Sequence, residues 1–566
     1  MARTVGIGIQ SFEKIIENNC FYIDKTYFIK EWWENQDEVT LITRPRRFGK
    51  TLNMNMLERF FSVEYSGQGQ VFEGLSIWSD ERYRNLQGTY PVIALSFADV
   101  KEMSFVEAKR KICQIIKMLY DKNRFLLEGS LLTESEKEDF LKMIHILDMD
   151  DNNTSLSLKI LSLYLSRYYG KKVIILLDEY DTPMQEAYVY GYWDELTGFI
   201  RSLFNSTFKT NPYMHRAVMT GITRISKESV FSDLNNLEVV TTTSEKYEDC
   251  FGFTQEEVWE ALRECGLYEE RQKVKEWYDG FAFGKKRAVY NPWSVLNYLD
   301  KKRLSPYWAN TSSNSLVDKL IREGDPGIKM IMEDLLNGRT FKIRIDEQIV
   351  FEQLENRNEA VWSLLLAGGY LRVEGLRTDE EWGEEEYELG LTNKEVRVMF
   401  RQMVRGWFSR SASRYNEFIR ALLCDDVEAM NAYMNEVALY TFSSFDTGKK
   451  PSKEDPERFY RGFVLGLMVD LLGRYTISSN RESGFGRYDV VLEPCDKQDP
   501  AIILEFMVFH PGKESALEET VNAALKQIEE KKYAVDLERK GIDPERIRKY
   551  GFAFEGKKIL IGKKMS

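Results

Sequence analysis

Short apolar runs alternate with segments of helical periodicity over the first 245 residues. Apolar runs at 39–42, 91–97 and 173–177, and a further strand at 216–220, are each followed by a loop, and helices are predicted after them, for example over about 104–122. The run at 173–177 is continuous, which is typical of a parallel strand covered on both faces. The pattern therefore predicts an α/β domain at 1–245, with a mostly parallel sheet and helices on both faces.

The pattern changes after residue 245. Residues 246–450 predict helices with few strands, and a helix, turn and strand at 364–373, followed by a strand near 386–389, indicate a winged-helix-like unit. A polar, proline-containing stretch at 448–457 is a predicted linker. Beyond it, helices at about 457–474 and 514–536 enclose short strands near 475–480, 487–492 and 501–509, followed by apolar stretches at 551–554 and 558–561. Residues 451–566 are therefore a predicted α+β domain, the third of the chain.

Composition excludes several classes of protein. A length of 566 residues is too great for one hydrophobic core, and the net charge of −12 argues against a protein that coats nucleic acid with its whole surface. The six cysteines form no CxxC pair, so neither a zinc ribbon nor a disulfide framework is indicated. No run of eighteen apolar residues and no apolar leader occurs, so a cytoplasmic protein without a membrane partner is expected.

A candidate phosphate-binding loop joins the first strand to the helix after it. The last four positions of the GxxxxGK[ST] pattern are filled by Phe48, Gly49, Lys50 and Thr51. In such a loop, backbone amides surround the phosphates, the lysine contacts the β- and γ-oxygens, and the hydroxyl contacts magnesium. The first glycine of the pattern is replaced by an arginine. Three arginines are expected to add positive charge beside the phosphates: Arg44, Arg46 and Arg47.

Two carboxylates follow the buried run at 173–177. Asp178 is placed to hold magnesium, and Glu179 to polarise an attacking water. Thr220 and Arg224 follow the next strand and are candidates for contacting the γ-phosphate, with Arg224 acting in cis or in trans. The alternatives are a surface lysine at position 50, solvated or helix-capping carboxylates, and a capped turn with a surface arginine.

Four sequence strings carry a resemblance to a known family. RPRRFGKT, FYIDKT, LLDEYDTP and TGITRISKES resemble those of bacterial AAA-ATPase-like proteins whose C-termini carry a PD-(D/E)XK nuclease-like, or restriction-endonuclease-like, domain. The resemblance extends over essentially the whole chain. It implies a P-loop fold despite Arg44, because that family normally has arginine and proline there. It also implies ATP and Mg²⁺ as ligands, and it places Asp24, Lys25 and Thr26 in an N-terminal signature near the adenine or ribose.

The resemblance also assigns candidate residues at the C-terminus. In PD-(D/E)XK nucleases an aspartate ends one strand, and a glutamate and a lysine lie two residues apart on the next. Asp489 and Glu505 match the two acids as catalytic and metal-binding residues, whereas Met507 stands where the lysine is expected. Methionine can neither carry charge nor activate water, so cleavage should be weak or absent. The alternative is that both acids are structural.

Two functions are consistent with these motifs. The first is an ATPase whose nucleotide cycle controls a nuclease-like domain that acts on or binds DNA. The second is an ATP-driven switch or binding module whose nuclease fold is catalytically inactive. A GTPase is disfavoured because no N/TKxD motif follows a strand, and a kinase because no acceptor site is evident.

Overall fold

The computed structural model describes most of the chain. The described residues are 3–144, 151–223, 231, 234–309, 315–323, 326–345, 358–378, 385–407, 415–441, 464, 468–471, 474–483 and 486–563. Two compact units are present: Met1–Leu320 with Gly338–Val398, and Ile321–Asn337 with Met399–Ser566. The division into domains at residues 245 and 450 stays a prediction, and residues 442–463 lie outside the described part.

The helix predicted at about 104–122 spans Phe105–Lys122, and the hydroxyl of Ser104 caps it by accepting from Glu107 N. The helix predicted at about 514–536 is two helices, and the one predicted at about 457–474 lies largely outside the described residues. The helices are α1 Phe12–Glu17, α2 Tyr27–Asn35, α3 Lys50–Phe61, α4 Glu81–Leu86, α5 Phe105–Lys122, α6 Glu134–Ile144, α7 Asp151–Tyr169, α8 Thr182–Tyr190, α9 Trp193–Phe204, α10 Gln255–Glu264, α11 Arg271–Tyr278, α12 Pro292–Lys301, α13 Ser315–Glu323, α14 Pro326–Leu336, α15 Asn358–Ala367, α16 Lys394–Trp407, α17 Tyr415–Leu423, α18 Val427–Thr441, α19 Leu517–Glu530 and α20 Val535–Arg539.

The first unit contains a five-stranded parallel sheet. Its strands are β1 Val39–Thr43, β2 Val92–Ser96, β3 Val173–Asp178, β4 Met214–Gly221 and β5 Leu237–Val240. They lie in the order β2-β3-β4-β1-β5, and every neighbouring pair is parallel. Every residue of β1 and β3 is buried, so both faces of the sheet are covered. The predicted α/β class is confirmed. The carboxyl ends of β1, β3 and β4 meet at one edge of the sheet, where the candidate nucleotide residues lie.

Two small antiparallel sheets lie later in the first unit. Strands β6 Phe253–Thr254, β7 Phe281–Phe283 and β8 Lys286–Tyr290 pair in the order β6-β8-β7. Strands β9 Phe341–Arg344, β10 Leu371–Thr378 and β11 Glu385–Leu391 pair in the order β10-β11-β9. The helix, turn and strand expected at 364–373 are α15 and β10, and the strand expected near 386–389 is β11. The winged-helix likeness itself stays a prediction.

The second unit contains a five-stranded mixed sheet. Its strands are β12 Tyr475–Ser483, β13 Gly486–Pro494, β14 Ala501–Val508, β15 Ile547–Glu555 and β16 Lys558–Lys563, in sequential order. Only the β14–β15 pair is parallel. Alternate residues of β14 enter two separate hydrophobic clusters, one shared with α17 and α18 and the other with α19 and α20. Both faces of this sheet are therefore covered by helices, as the predicted nuclease-like fold requires.

None of the helices in the described ranges combines the length and the apolar character that crossing a membrane requires.

Candidate functional site

The loop at 44–49 connects β1 to α3 and has an unusual backbone. Gly49 is the N-cap of α3 with φ +84°, a left-handed conformation that strains any other residue, and Arg47 adopts φ +65°. A Cβ on Gly49 would meet no atom within 4 Å, so the glycine is required for its backbone and not for space. The loop therefore places its amides at the start of a helix, where anions bind.

Lys50 lies inside this loop. Its side chain is 2% exposed, and its ammonium donates to the carbonyls of Arg44 and Pro45 at 3.1 and 3.2 Å. The same Nζ lies 3.5 Å from Glu179 Oε1. This burial excludes the alternative of a surface lysine. The ammonium therefore lies within ion-pair distance of the Glu179 carboxylate.

Asp178 ends β3 between two hydroxyl groups. Thr51 Oγ1 donates to Asp178 Oδ2 at 2.7 Å, and Thr220 Oγ1 donates to Asp178 Oδ1. Burial raises the pKa of the Asp178 carboxyl, and the neighbouring carboxylate of Glu179 raises it further. A carboxylate and a hydroxyl in contact are the hard oxygen ligands that Mg²⁺ prefers, so Asp178 and Thr51 fit this ion.

Glu179 follows Asp178 in a strained conformation. Its φ is +52°, and glutamate pays an energetic penalty in this left-handed region. The conformation turns the chain sharply at the end of β3, and the side chain remains one-fifth exposed. A residue held in this way between Lys50 and solvent can reach a water molecule.

Arg44 occupies a different position from the one expected. Its side chain is fully buried, with Nη1 donating to the carbonyls of Thr43 and Thr241 at 2.9 and 2.7 Å. Nη2 donates to Tyr247 O at 3.3 Å, and the guanidinium lies 4.5 Å from the ring centre of Phe283. Burial lowers the pKa of Arg44 to about 10. Because backbone carbonyls bind this guanidinium, Arg44 holds the loop to residues 241–247.

The other two arginines remain near the surface. Arg46 is half-buried and donates from Nη2 to Gln185 Oε1 at 3.3 Å. Arg47 is exposed, and its guanidinium lies 4.4 Å from the ring centre of Trp293. Arg224 lies outside the described residues. The assignment of phosphate contacts to these three arginines stays a prediction.

The FYIDKT segment is held by contacts within itself and with other residues of the first unit. Asp24 Oδ1 accepts from Thr26 N at 2.8 Å, and its Oδ2 accepts from Ser76 N at 2.7 Å. Lys25 forms an ion pair with Glu257 at 2.7 Å. These contacts explain the residue types by folding alone, and proximity to the adenine or ribose stays a prediction.

Asp489 and Glu505 come together in the second unit. They lie on β13 and β14, where Asp489 Oδ2 accepts from Phe506 N at 2.9 Å and Asp489 N donates to Glu505 Oε2 at 3.4 Å. Gln527 of α19 donates to Glu505 Oε1, and Glu505 is 2% exposed. Met507 lies two residues along β14 and therefore shares the face of Glu505. Carboxylates are oxygen ligands that divalent cations prefer, so these two acids fit such an ion, whereas Met507 adds no charge.

Two family models match the chain. Residues 6–231 match the family described as predicted AAA-ATPase, and residues 455–564 match the PD-(D/E)XK nuclease superfamily. The chain carries an AAA-ATPase-like domain and a PD-(D/E)XK nuclease-like domain. The loop with Asp178 and Glu179 falls in the first match, and Asp489 with Glu505 in the second. The resemblance inferred from the sequence strings is confirmed.

Two individual proteins are also similar to the chain. One is an uncharacterized protein in the vnfD 5′ region of Azotobacter chroococcum mcd 1, with 26% identity over 338 residues. The match covers 58% of this chain and spans 58% of the length of that curated relative. The other is the ORC2 protein of Aeropyrum pernix, solved as ADPNP–ADP complexes, at 9% identity, with 67% of this chain and 92% of that chain covered. The TM-score of this match is 0.23.

The loop 44–49, where phosphate binding is predicted, is held in place by residues that lie far away in sequence. Asn291 Nδ2 and Trp308 Nε1 both donate to the Arg46 carbonyl, at 3.2 and 2.9 Å. The Phe48 ring packs edge-on against Phe281 and Phe283, with centroids 4.8 and 5.3 Å away. These contacts, with those of Arg44, fix a loop that lacks the first glycine of the common pattern.

A buried carboxylate, that of Glu395, holds one of the residues that contact the loop 44–49. Glu395 has no exposed surface and accepts hydrogen bonds from Ser294 Oγ at 2.8 Å, from Trp308 N at 2.6 Å and from Ala309 N at 3.4 Å. Burial raises the pKa of Glu395 to about 7. The carboxylate therefore holds the backbone of Trp308, and the indole N–H of Trp308 holds the loop 44–49. Nothing in the residues around Glu395 indicates this role from sequence.

Glu395→Gln is expected to change how stability depends on pH. The folded pKa of about 7 lies above the ordinary 4.5, so between these values the folded protein binds a proton that the unfolded chain has lost. The free energy of unfolding of the wild type therefore falls as the pH rises through this window. Glutamine keeps an acceptor for Trp308 N without the charge, so the variant should gain roughly 2–3 kcal/mol relative to wild type between pH 5 and 8.

Urea unfolding at pH 5 and pH 8 measures this gain. Glu269→Gln, at an exposed glutamate, is the matched control and should show the same difference from wild type at both pH values. A Glu395→Gln variant whose difference from wild type is equal at pH 5 and pH 8 would refute the raised pKa.

Proposed function

We propose that the AAA-ATPase-like domain binds ATP with Mg²⁺ and hydrolyses it at the loop 44–51. The observation that carries this proposal is the position of Lys50, enclosed by loop carbonyls and 3.5 Å from Glu179, beside the Asp178–Thr51 pair. An ammonium, a hydroxyl, a metal-binding carboxylate and a second carboxylate at one sheet edge are the groups that phosphoryl transfer to water needs.

The roles of the residues follow from these contacts. The Lys50 ammonium exchanges the Glu179 carboxylate for the β- and γ-phosphate oxygens, which leaves Glu179 available to a water molecule. Glu179 accepts a proton as the water oxygen bonds to the γ-phosphorus and the bond to the ADP oxygen breaks. Thr220 keeps Asp178 oriented toward Thr51. Asp178 and Thr51 would hold a magnesium ion, which would supply positive charge at the phosphate oxygens.

The test is a direct assay of the full chain. Phosphate release is measured with Mg²⁺ and ATP, with GTP in parallel, and binding is measured by titration with a non-hydrolysable ATP analogue. Hydrolysis of ATP in preference to GTP supports the proposal. Absence of both binding and hydrolysis contradicts it.

A second candidate function concerns the nuclease-like domain. We infer that the nucleotide cycle controls a C-terminal domain that binds DNA without cutting it. Met507 favours this over cleavage, because the position two residues after Glu505 holds no ammonium to activate water.

Met507→Lys is expected to create cleavage where the wild type has none. An ammonium on the face of Glu505 would orient water and stabilise charge on the scissile phosphate. We expect Mg²⁺-dependent nicking of plasmid DNA at least about 100-fold above the wild-type background.

Two further variants complete this experiment. Met507→Leu preserves the volume of the side chain without its charge and should remain inactive. Asp489→Ala added to Met507→Lys should remove the new activity. Wild-type cleavage that Asp489→Ala abolishes would show that the domain is already a nuclease and would reject the binding-only function.

A further inference from the structure

Asp181 lies beside the proposed ATP site and has no place in the chemistry described so far. It is fully buried, three residues after Asp178. Its Oδ2 accepts from Ile222 N at 3.1 Å, and from Thr223 N and Oγ1 at 2.9 and 2.8 Å. This one carboxylate oxygen therefore accepts hydrogen bonds from two backbone amides and one hydroxyl of the turn that follows β4. Burying a carboxylate costs free energy unless hydrogen bonds compensate for its lost hydration. The hydrogen bonds that satisfy Asp181 therefore also fix the turn.

The neighbouring residues fix the same turn. Tyr180 N donates to Thr220 O at 2.9 Å, and Tyr180 OH donates to Thr223 O at 2.7 Å. At Gly221 a Cβ would lie 2.6 Å from the Tyr180 ring and 2.7 Å from Asp181 Oδ1. The turn can therefore move only together with residues 180–181, which directly follow Asp178 and Glu179.

Gln185 connects this turn to the phosphate loop. Its Nε2 donates to Asp181 Oδ2 at 2.9 Å, and its Oε1 accepts from Arg46 Nη2 at 3.3 Å. A carboxylate on one side and a guanidinium on the other determine which way the amide faces. Arg46, Gln185, Ile222 and Thr223 also line one cleft, together with Trp308 and Tyr370.

We propose that Gln185 and Asp181 are positioning residues that couple occupancy of the phosphate loop to the turn at 221–223. The inference rests on the proposed ATP site. The bond from Arg46 to Gln185 is to a neutral oxygen, whereas a γ-phosphate offers Arg46 a charge-assisted bond about twice as strong. When Arg46 turns to the phosphate, Gln185 loses that partner, and its bond to Asp181 transmits the change to Ile222 and Thr223. ADP, without a γ-phosphate, leaves Arg46 on Gln185.

Gln185→Met tests this coupling, because methionine has a similar length and cannot bridge the two charged groups. We expect kcat for ATP to fall about 10-fold while KM stays within about threefold, since binding by the loop is retained and positioning is lost. Hydrogen exchange of the peptide that contains Ile222 and Thr223 provides the second readout. In the wild type it should differ between ADP and a non-hydrolysable ATP analogue, and in Gln185→Met it should not.

Gln185→Glu gives an opposite signature. Its carboxylate would hold Arg46 by charge and compete with the phosphate, so KM for ATP should rise about 10-fold. Gln114→Ala, at an exposed glutamine of α5, is the control and should behave as wild type.

The outcomes separate this proposal from the ATPase function itself. A wild type that hydrolyses ATP, with Gln185→Met matching it in kcat and in exchange, overturns the coupling alone. A wild type that neither binds nor hydrolyses ATP overturns the ATPase function and the coupling with it. If Gln185→Met does not fold, Gln185→Glu decides, and an unchanged KM overturns the coupling.

Discussion

Glu179→Gln is expected to leave ATP binding intact and to lower kcat by a factor of about 10²–10⁴, the usual contribution of a general base. Glutamine preserves the size of the side chain and an oxygen near Lys50, but it cannot take a proton from water. Removing the carboxylate also removes the negative neighbour of the Lys50 ammonium, so ATP affinity should stay equal or increase. Single-turnover phosphate release and equilibrium binding of ATP separate these two effects.

The control for this variant is Glu195→Gln, at an exposed glutamate of α9. It should match the wild type in both measurements. A Glu179→Gln protein with wild-type kcat would assign the activation of water to another group, even if nucleotide binding were confirmed.

Lys50→Ala is expected to weaken ATP binding by about 100-fold, because hydrogen bonds to charged groups contribute about 1.5–3 kcal/mol each and the ammonium serves more than one phosphate oxygen. The substitution has a second effect, since the carbonyls of Arg44 and Pro45 lose their donor. A loss of stability of about 1–3 kcal/mol for each buried acceptor is therefore expected as well.

Two measurements keep affinity and folding apart. The dissociation constant comes from titration with a fluorescent ATP analogue, and the melting temperature is recorded without nucleotide. Lys30→Ala, at an exposed lysine of α2, should change neither. If Lys50→Ala folds and binds ATP as tightly as the wild type, the loop is not a phosphate site.

The sequence predicted those features that neighbouring residues in the chain are enough to indicate. The strand that ends at Asp178 is a continuous apolar run, and such runs are typical of buried parallel strands. Likewise, Lys50 and Thr51 follow a strand and begin a helix, so their place at the sheet edge could be expected before the structure was known. Asp489 and Glu505 were found through family resemblance, and strand alternation then placed Met507 on the face of Glu505.

The features that the sequence did not reveal depend on contacts between residues that lie far apart in the chain. Arg44 looks like a phosphate ligand in sequence, yet its partners are carbonyls about two hundred residues away, at Thr241 and Tyr247. Glu395 begins a helix like many surface glutamates, and only the fold shows that it is buried beneath Trp308. Gln185 lies one helical turn beyond Asp181, but its bond to Arg46 depends on how the sheet edge is assembled. Periodicity and spacing describe one element at a time and cannot report such contacts.

Because residues far away in sequence shape the loop 44–49, its eight-residue motif does not by itself determine the conformation of the loop. A loop that folds by its own glycines can be grafted or compared by its string alone, whereas this one takes its shape from Asn291, Trp308 and the rings around Phe48. Natural variation in those distant residues is therefore expected to change the proposed nucleotide site. When related chains are sorted into active and degenerate members, an intact RPRRFGKT with a lost Trp308 should be counted with the degenerate ones.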